Sequence, residues 1–278
     1  MEKRNTAGRV ILIIVLAIVA LAFLAPIFIV LMNSFKQRLF INAEPFKLPW
    51  GDSFAGLENF FSGLKKTGFA SAFGWSLFIT VGSVAVIVLF CAMTAWYITR
   101  VKSKLTSFMY YAFVFSMIVP FQMVMFTMTK TANALNLDNP LGIILIYLGF
   151  GSGLSVFMFC GFIKSIPLEI EEAAMIDGCG PVRTFFYVVL PILKPTAITV
   201  AILNAMWIWN DYLLPYLVIG TEYKTIPIAI QYLRGGYGSV DMGALMAMLV
   251  LAIVPIVVFY LSCQKYIIKG VVAGAVKG

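Results

Sequence analysis

The stretch Lys164–Pro195 reads KSIPLEIEEAAMIDGCGPVRTFFYVVLPILKP and lies between two long apolar runs. It is too long and too patterned for a plain hairpin connection. Pro167 stands at a helix start, where its missing N–H does no harm, and Glu169, Glu171 and Glu172 follow in the first turn, where the helix dipole favours anions. Gly178 supplies a stop that tolerates positive φ, and Gly180-Pro181 restarts a second helix that runs to Leu190. Pro191 and Pro195 close that helix before the next apolar run. The expectation is two short helices set at an angle at a membrane face. The first has a bare patch at Ala173 and Ala174 over which another protein could close tightly. An amphipathic helix resting at the interface without a partner fits the same physics.

On either side of this stretch the composition belongs to lipid. Hydrophobic residues make up 62% of the 278-residue chain and charged residues 12%, with a mean hydropathy of +0.97; a soluble domain carries roughly a quarter charged residues. A bilayer core of ~30 Å needs about 20 apolar residues in a helix. The predicted spans are Val10–Met32, Trp75–Tyr97, Ser107–Thr129, Leu141–Ile163, Thr196–Ile219 and Gly243–Cys263, and the only charged residue inside any of them is Asp211. Helices are required because backbone groups facing lipid must be satisfied within their own segment. The fold class is therefore an all-α integral membrane protein with six transmembrane helices. Lys3, Arg4 and Arg9 followed by Ala20-Leu21-Ala22 could mark a cleaved signal, but the apolar run continues to Met32, beyond a signal core of about 7–15 residues, and is retained as a span.

The basic residues set the orientation. With the N-terminus inside, Lys3, Arg4 and Arg9, then Arg100, Lys102 and Lys104, then Lys164, Arg183 and Lys194, then Lys265, Lys269 and Lys277 flank the spans on the cytoplasmic side. Apart from the long first loop, Asn33–Gly74, the other side carries only Lys130, Lys224 and Arg234, so both termini are expected in the cytoplasm. In that loop Pro45, Pro49, Gly51 and Gly56 predict turns and Leu57–Leu64 a short helix. The net charge of +8 follows from this bias and from attraction to anionic headgroups, and gives no reason to propose nucleic acid. Cys91, Cys160, Cys179 and Cys263 form no C-x-x-C pair and the chain has no His, so neither a metal site nor a disulfide framework is expected.

Function classes narrow on the same residues. Ion-coupled carriers keep several ionisable groups inside their spans, and this chain offers Asp211 alone. A phosphate-cradling G-x-x-x-x-G-K-[ST] loop is excluded because the dipeptide Gly-Lys does not occur. If ATP drives transport, another chain hydrolyses it. An ion-coupled secondary carrier or a channel for a polar solute remains the alternative on composition alone.

Glu172-Ala173-Ala174, then Asp177-Gly178, then Leu190-Pro191 resembles the EAA loop of type I ATP-binding-cassette (ABC) importers: E-A-A-x-x-x-G, a spacer, and L-P. Val119-Pro120 with Gln122-Met123, Trp209-Asn210-Asp211-Tyr212 with Pro215, and the end of the chain from Gln264 to Gly278 are similar to the smaller membrane subunit of maltose-type carbohydrate importers. The resemblance implies a permease subunit without catalytic residues, translocating a sugar by alternating access. It implies a second membrane permease subunit, an ATPase dimer carrying ATP and Mg, and an extracytoplasmic solute-binding protein, with no cofactor on this chain. It divides the chain into a peripheral first helix and loop (1–74), a five-helix core (75–263) containing the loop 164–195, and a cytoplasmic tail (264–278). Cys179 stands where the family usually has Ala.

The resemblance makes the loop the ATPase-coupling element, with Glu172 and Asp177 as polar contacts or caps, Ala173 and Ala174 as the close-packed face, Gly178 as the turn, and Leu190-Pro191 as its end. It places the tail residues Lys269, Gly270, Gly274 and Gly278 at the ATPase interface. On the fifth span Asn204, Trp207 and Asp211 fall at i, i+3 and i+7, one helix face, and with Gln122 after Pro120 they are the candidate solute path. Bonding of these groups to neighbouring helices is the competing expectation.

Overall fold

The computed structural model describes residues 6–233 and 240–275, with side chains from residue 8 to residue 265 of those. Its elements are helices: α1 Thr6–Asn33, α2 Arg38–Ala43, α3 Glu58–Thr67, α4 Phe69–Arg100, α5 Lys104–Ser116, α6 Phe121–Ala134, α7 Pro140–Ile163, α8 Glu169–Ile176, α9 Pro181–Thr184, α10 Leu190–Ile192, α11 Lys194–Asn210, α12 Leu213–Val218, α13 Ile226–Gln231 and α14 Met242–Ala275. Four of these contain stretches long and apolar enough to cross a membrane: Gly8–Asn33, Phe69–Arg100, Pro140–Ile163 and Met242–Lys265. Two bent pairs, α5 with α6 and Pro181–Ile192 with α11, bring the number to six when each pair is one span.

The bent pairs correct the sequence expectation. Ser107–Thr129 is no straight span: α5 and α6 meet at 108° across the Met117–Pro120 break. Pro120 offers no N–H and disfavours helical backbone at Val119, so the helix stops and restarts with Pro120 as its cap. The predicted Thr196–Ile219 also ends early. α11 stops at Asn210, Asp211 is extended (ψ 125°), and its Oδ1 accepts from the N–H groups of Leu213 and Leu214 at 3.1 and 3.4 Å, starting α12. Pro191 does not close the loop's second helix, which continues through a π-helical segment, Phe185–Val189, and α10 to Ile192. That segment lies just before Pro191, whose missing N–H favours a register of five. Pro195 opens α11 after a 76° bend.

Two compact units are formed, one by the described residues within 1–70 and 229–255, the other by those within 71–228 and 256–278. In the first unit, α1 is apolar on every side and none of its most hydrophobic window is buried. The loop after it is folded by polar side chains. Asn33 Nδ2 donates to the carbonyls of Ile29 and Pro45, and Asn59 Nδ2 to those of Ser34 and Lys36. The predicted short helix is present as α3, and Gly51 and Gly56 take positive φ in the turns before it. Asp241 pairs with Lys66; burial alone would raise its carboxyl, but the Lys66 ammonium and the Ala244 N–H hold it below the ordinary Asp value.

The second unit packs around α7, half of whose window is buried. Tyr147, Phe159 and Ile163 of α7 form its core with Ile87 and Ala92 of α4, Phe185 and Val189 of the π segment, and Leu193. α5 lies close against α7 at Gly153, where an added Cβ would fall 2.7 Å from Ser116 Oγ and 2.9 Å from the Phe113 carbonyl oxygen. The carbonyl is backbone and cannot rotate aside. Gly153→Val should therefore push α5 off α7 and lower stability by about 1–3 kcal/mol. An unchanged thermal midpoint in detergent would mean that the helices are not this close.

Candidate functional site

α8 is a two-turn helix whose residues divide sharply by environment. Glu172, Ala173, Met175, Ile176 and Asp177 are exposed, Ile176 to 87%, and Ala174 is half-buried. Leu168 caps the helix, so Pro167 sits just before the start rather than in the first turn. At the other end the Gly178 N–H bonds the Met175 carbonyl and the Cys179 N–H the Ala174 carbonyl, both at 3.0 Å, with Gly178 at φ +83°. These two bonds make a Schellman closure, which needs a left-handed residue at Gly178. A Cβ there would meet nothing within 4 Å of this chain, so the demand for glycine is conformational. Pro181 is the first residue of the next helix, as its position after Gly180 predicts.

The residue that sequence reasoning missed is Glu171, neighbour of the motif acid. It is 1% exposed. Its Oε1 accepts from Arg100 Nε at 3.0 Å and Arg100 Nη2 at 2.7 Å, and its Oε2 from Trp96 Nε1 at 2.9 Å. Arg100 Nη2 also donates to the Ile166 carbonyl at 3.1 Å. Trp96 packs its ring on Phe185, centroids 5.6 Å apart, so the last turns of α4 grip both halves of the loop. The one signal in the sequence is the i, i+4 spacing of Trp96 and Arg100 at the end of a span, a pairing that otherwise marks an interfacial anchor.

The candidate solute path is brought together only in part. Asp211 lies off the end of α11 and so does not share a continuous helix face with Asn204 and Trp207. All three nevertheless turn towards α7. Asn204 Nδ2 donates to Ser155 Oγ at 3.2 Å and to the Val200 carbonyl at 2.9 Å. The Tyr147 hydroxyl donates to Asp211 Oδ2 at 3.1 Å, and Trp207 stands edge-on to the Tyr147 ring at 5.4 Å. Asn204 and Asp211 are thus engaged within the bundle, while Trp207 keeps 40% of its surface open. Gln122 is exposed in the first turn of α6 and takes no part in these bonds. Tyr147 and Ser155, both buried, were not legible as partners because apolar α7 shows no helical stripe. At the far end, Lys269, Gly270 and Gly274 lie on the last turns of α14, which stays helical to Ala275, and Gly278 lies outside the described residues. No group of three or more metal-ligating side chains occurs among the described residues.

Residues 87–272 match the family described as binding-protein-dependent transport system inner membrane component. The chain is 39% identical to a probable starch degradation products transport system permease protein, AmyC, of Thermoanaerobacterium thermosulfurigenes, over 94% of each chain. It is 34% identical over 99% of each chain to the multiple sugar-binding transport system permease protein MsmG of Streptococcus mutans. It is 32% identical over the full length of each to the melibiose/raffinose/stachyose import permease protein MelC of Bacillus subtilis. Among solved structures, a chain of a bacterial ABC transporter that imports the acidic polysaccharide alginate superposes with a TM-score of 0.79 over 96% of this chain and 98% of that one, at 20% identity.

Tyr147→Phe should lower stability by about 1–3 kcal/mol, because one oxygen of the half-buried Asp211 loses its donor. Asp211→Asn keeps the helix-capping oxygen and should cost less. Thermal unfolding of the purified protein followed by tryptophan fluorescence checks the ranking; the reverse order would show that the cap, not the tyrosine, holds Asp211.

Proposed function

The chain belongs to the binding-protein-dependent transport system inner membrane components, and on that premise we propose that it is the permease subunit of an ABC importer that carries a sugar across the cell membrane. It works with a second membrane subunit, an ATPase dimer that holds ATP and Mg, and an extracytoplasmic solute-binding protein. Both termini lie in the cytoplasm, where α8 meets the ATPase. The observation that carries this reading is α8 itself: a helix anchored on one side by Glu171 and presenting Ala173, Ile176 and Glu172 freely on the other. Exposed apolar side chains around a small-residue face are ordinary for a surface that a partner covers.

Closure of the ATPase around ATP would displace α8, and the spans would follow as rigid bodies between an outward-facing and an inward-facing state. No group on α8 performs chemistry. Glu172 and Asp177 bind, Ala173 permits close approach, and Gly178 sets the turn. Leu190-Pro191 sits where the loop's second helix approaches the bend into α11. Along the solute path, Trp207 offers an open aromatic face of the kind on which sugar rings stack.

Gly178→Val forces a β-branched residue into positive φ, and Ala173→Arg puts a long charged chain into the contact. Each should abolish co-purification of the ATPase and reduce coupled uptake in proteoliposomes by more than about tenfold, while pairing with the other membrane subunit persists. Normal ATPase binding and uptake by both variants rejects the docking role. Uptake driven by an ion gradient without ATP would instead support a secondary carrier. Trp207→Ala should change uptake of competing sugars unequally, by about 1 kcal/mol or more between the extremes. Equal loss for every sugar would assign Trp207 to packing.

A further inference from the structure

α8 touches the rest of its unit through a contact of unusual chemistry. A short helix at a membrane face can be held by apolar side chains alone, and replacing a buried ion pair with such side chains is often neutral or stabilising. Apolar contacts, however, let a helix slide and rotate, whereas charge-assisted hydrogen bonds fix direction as well as distance. Glu171 and Glu172 are adjacent and so point about 100° apart around α8. One carboxylate is sealed inside on three N–H donors and the other faces out. The donors come from Trp96 and Arg100, one turn apart on a single face of α4.

We infer that Trp96, Arg100 and Glu171 form the joint through which displacement of α8 is delivered to the transmembrane core, a positioning role that rests on the reading of α8 as the ATPase-docking helix. The contacts around the joint fit that role. Arg100 holds the Ile166 carbonyl ahead of α8, and Trp96 packs on Phe185 behind it, so both ends of the loop contact α4. α4 itself is 32 residues without a proline, unlike α1 and α14, which carry Pro26 and Pro255, and unlike the two bent pairs. Nearer its other end, Ser76 Oγ accepts from the Ile226 N–H at 2.8 Å and Trp75 stands edge-on to Tyr223 at 5.1 Å. A push on Arg100 therefore reaches the chain segment just before α13 along one stiff helix.

The test uses the full complex, with its own ATPase and solute-binding protein, in proteoliposomes. Two variants are compared: Glu171→Gln, which leaves Arg100 without its counter-charge, and the double variant Glu171→Leu with Arg100→Met, which replaces the pair by apolar side chains. Both should co-purify with the ATPase and hydrolyse ATP at the basal rate, yet sugar taken up per ATP should fall about tenfold or more. The double variant should recover the thermal midpoint that Glu171→Gln loses, without recovering uptake per ATP. A structural contact alone would restore both together, and that result overturns the joint. Wild-type uptake per ATP in both variants overturns it as well. Loss of the ATPase from both overturns it too, because the three residues would then only shape the docking surface. Gly178→Val and Ala173→Arg separate the two levels: if both leave ATPase binding and uptake intact, the docking reading fails; if they abolish them while the Glu171 variants stay coupled, only the joint fails.

Discussion

A carboxylate 1% exposed must be bound by donors or neutralised, and the Glu171 carboxylate is bound by three N–H groups from α4. The desolvation of such a group is worth several kcal/mol, and removing one partner of a buried pair costs about 3–5 kcal/mol. The position of α8 is thereby dictated from the far side of the connection: whichever way the loop could otherwise lie, Glu171 must reach Trp96 and Arg100. Once it does, Ala173, Ile176 and Glu172 can only face outwards. The exposed docking face and the buried anchor are one consequence of placing two acids side by side on a helix.

The second constraint is the backbone. Within a membrane an unpaired N–H or carbonyl costs several kcal/mol, so a span can break only where side chains or the chain itself supply replacements. At the α5 to α6 break, the Met117 and Ile118 N–H groups turn back to the Val114 and Phe115 carbonyls, and the Met123 N–H bonds the Pro120 carbonyl. At the end of α11, one Asp211 oxygen accepts from both capping N–H groups and the other accepts from the Tyr147 hydroxyl. A charged side chain inside a span is thus accounted for by the break it creates. Non-helical backbone of this kind is tolerated where it is buried in protein or lines a water-filled cavity, which is where a transported solute would pass.

These two constraints also explain what could be read in advance. The existence of the spans follows from hydropathy, because length and composition need no partner. The turn at Gly178 was legible because a left-handed backbone has a residue signature, and the structure places Gly178 at φ +83°. The breaks were not. Pro120 and Asp211 each fall inside apolar runs whose average hides a single interruption, and the motif around Pro120 does not mark it as the end of a helix. The motif singles out Glu172 and leaves Glu171 as one of three first-turn acids; which of them turns inwards depends on the helix phase, and that phase depends on Trp96 and Arg100, more than seventy positions earlier in the chain. Non-local hydrogen bonds leave no periodicity to detect.

The bonds between α7 and α11 then bear on how the core can move. Asn204 is held by Ser155 near the middle of α11, and Asp211 by Tyr147 just beyond its end, so α11 is tied to α7 at two levels about ten Å apart along the axis. Both ties are directional. Sliding α11 past α7 would break them together, whereas turning the pair as one body breaks neither. Rigid-body rotation is therefore the motion of lower cost within this unit. Its pivots are best sought where the hydrogen-bonded framework is already interrupted, at the bend beside Leu193 and at the turn before Phe121.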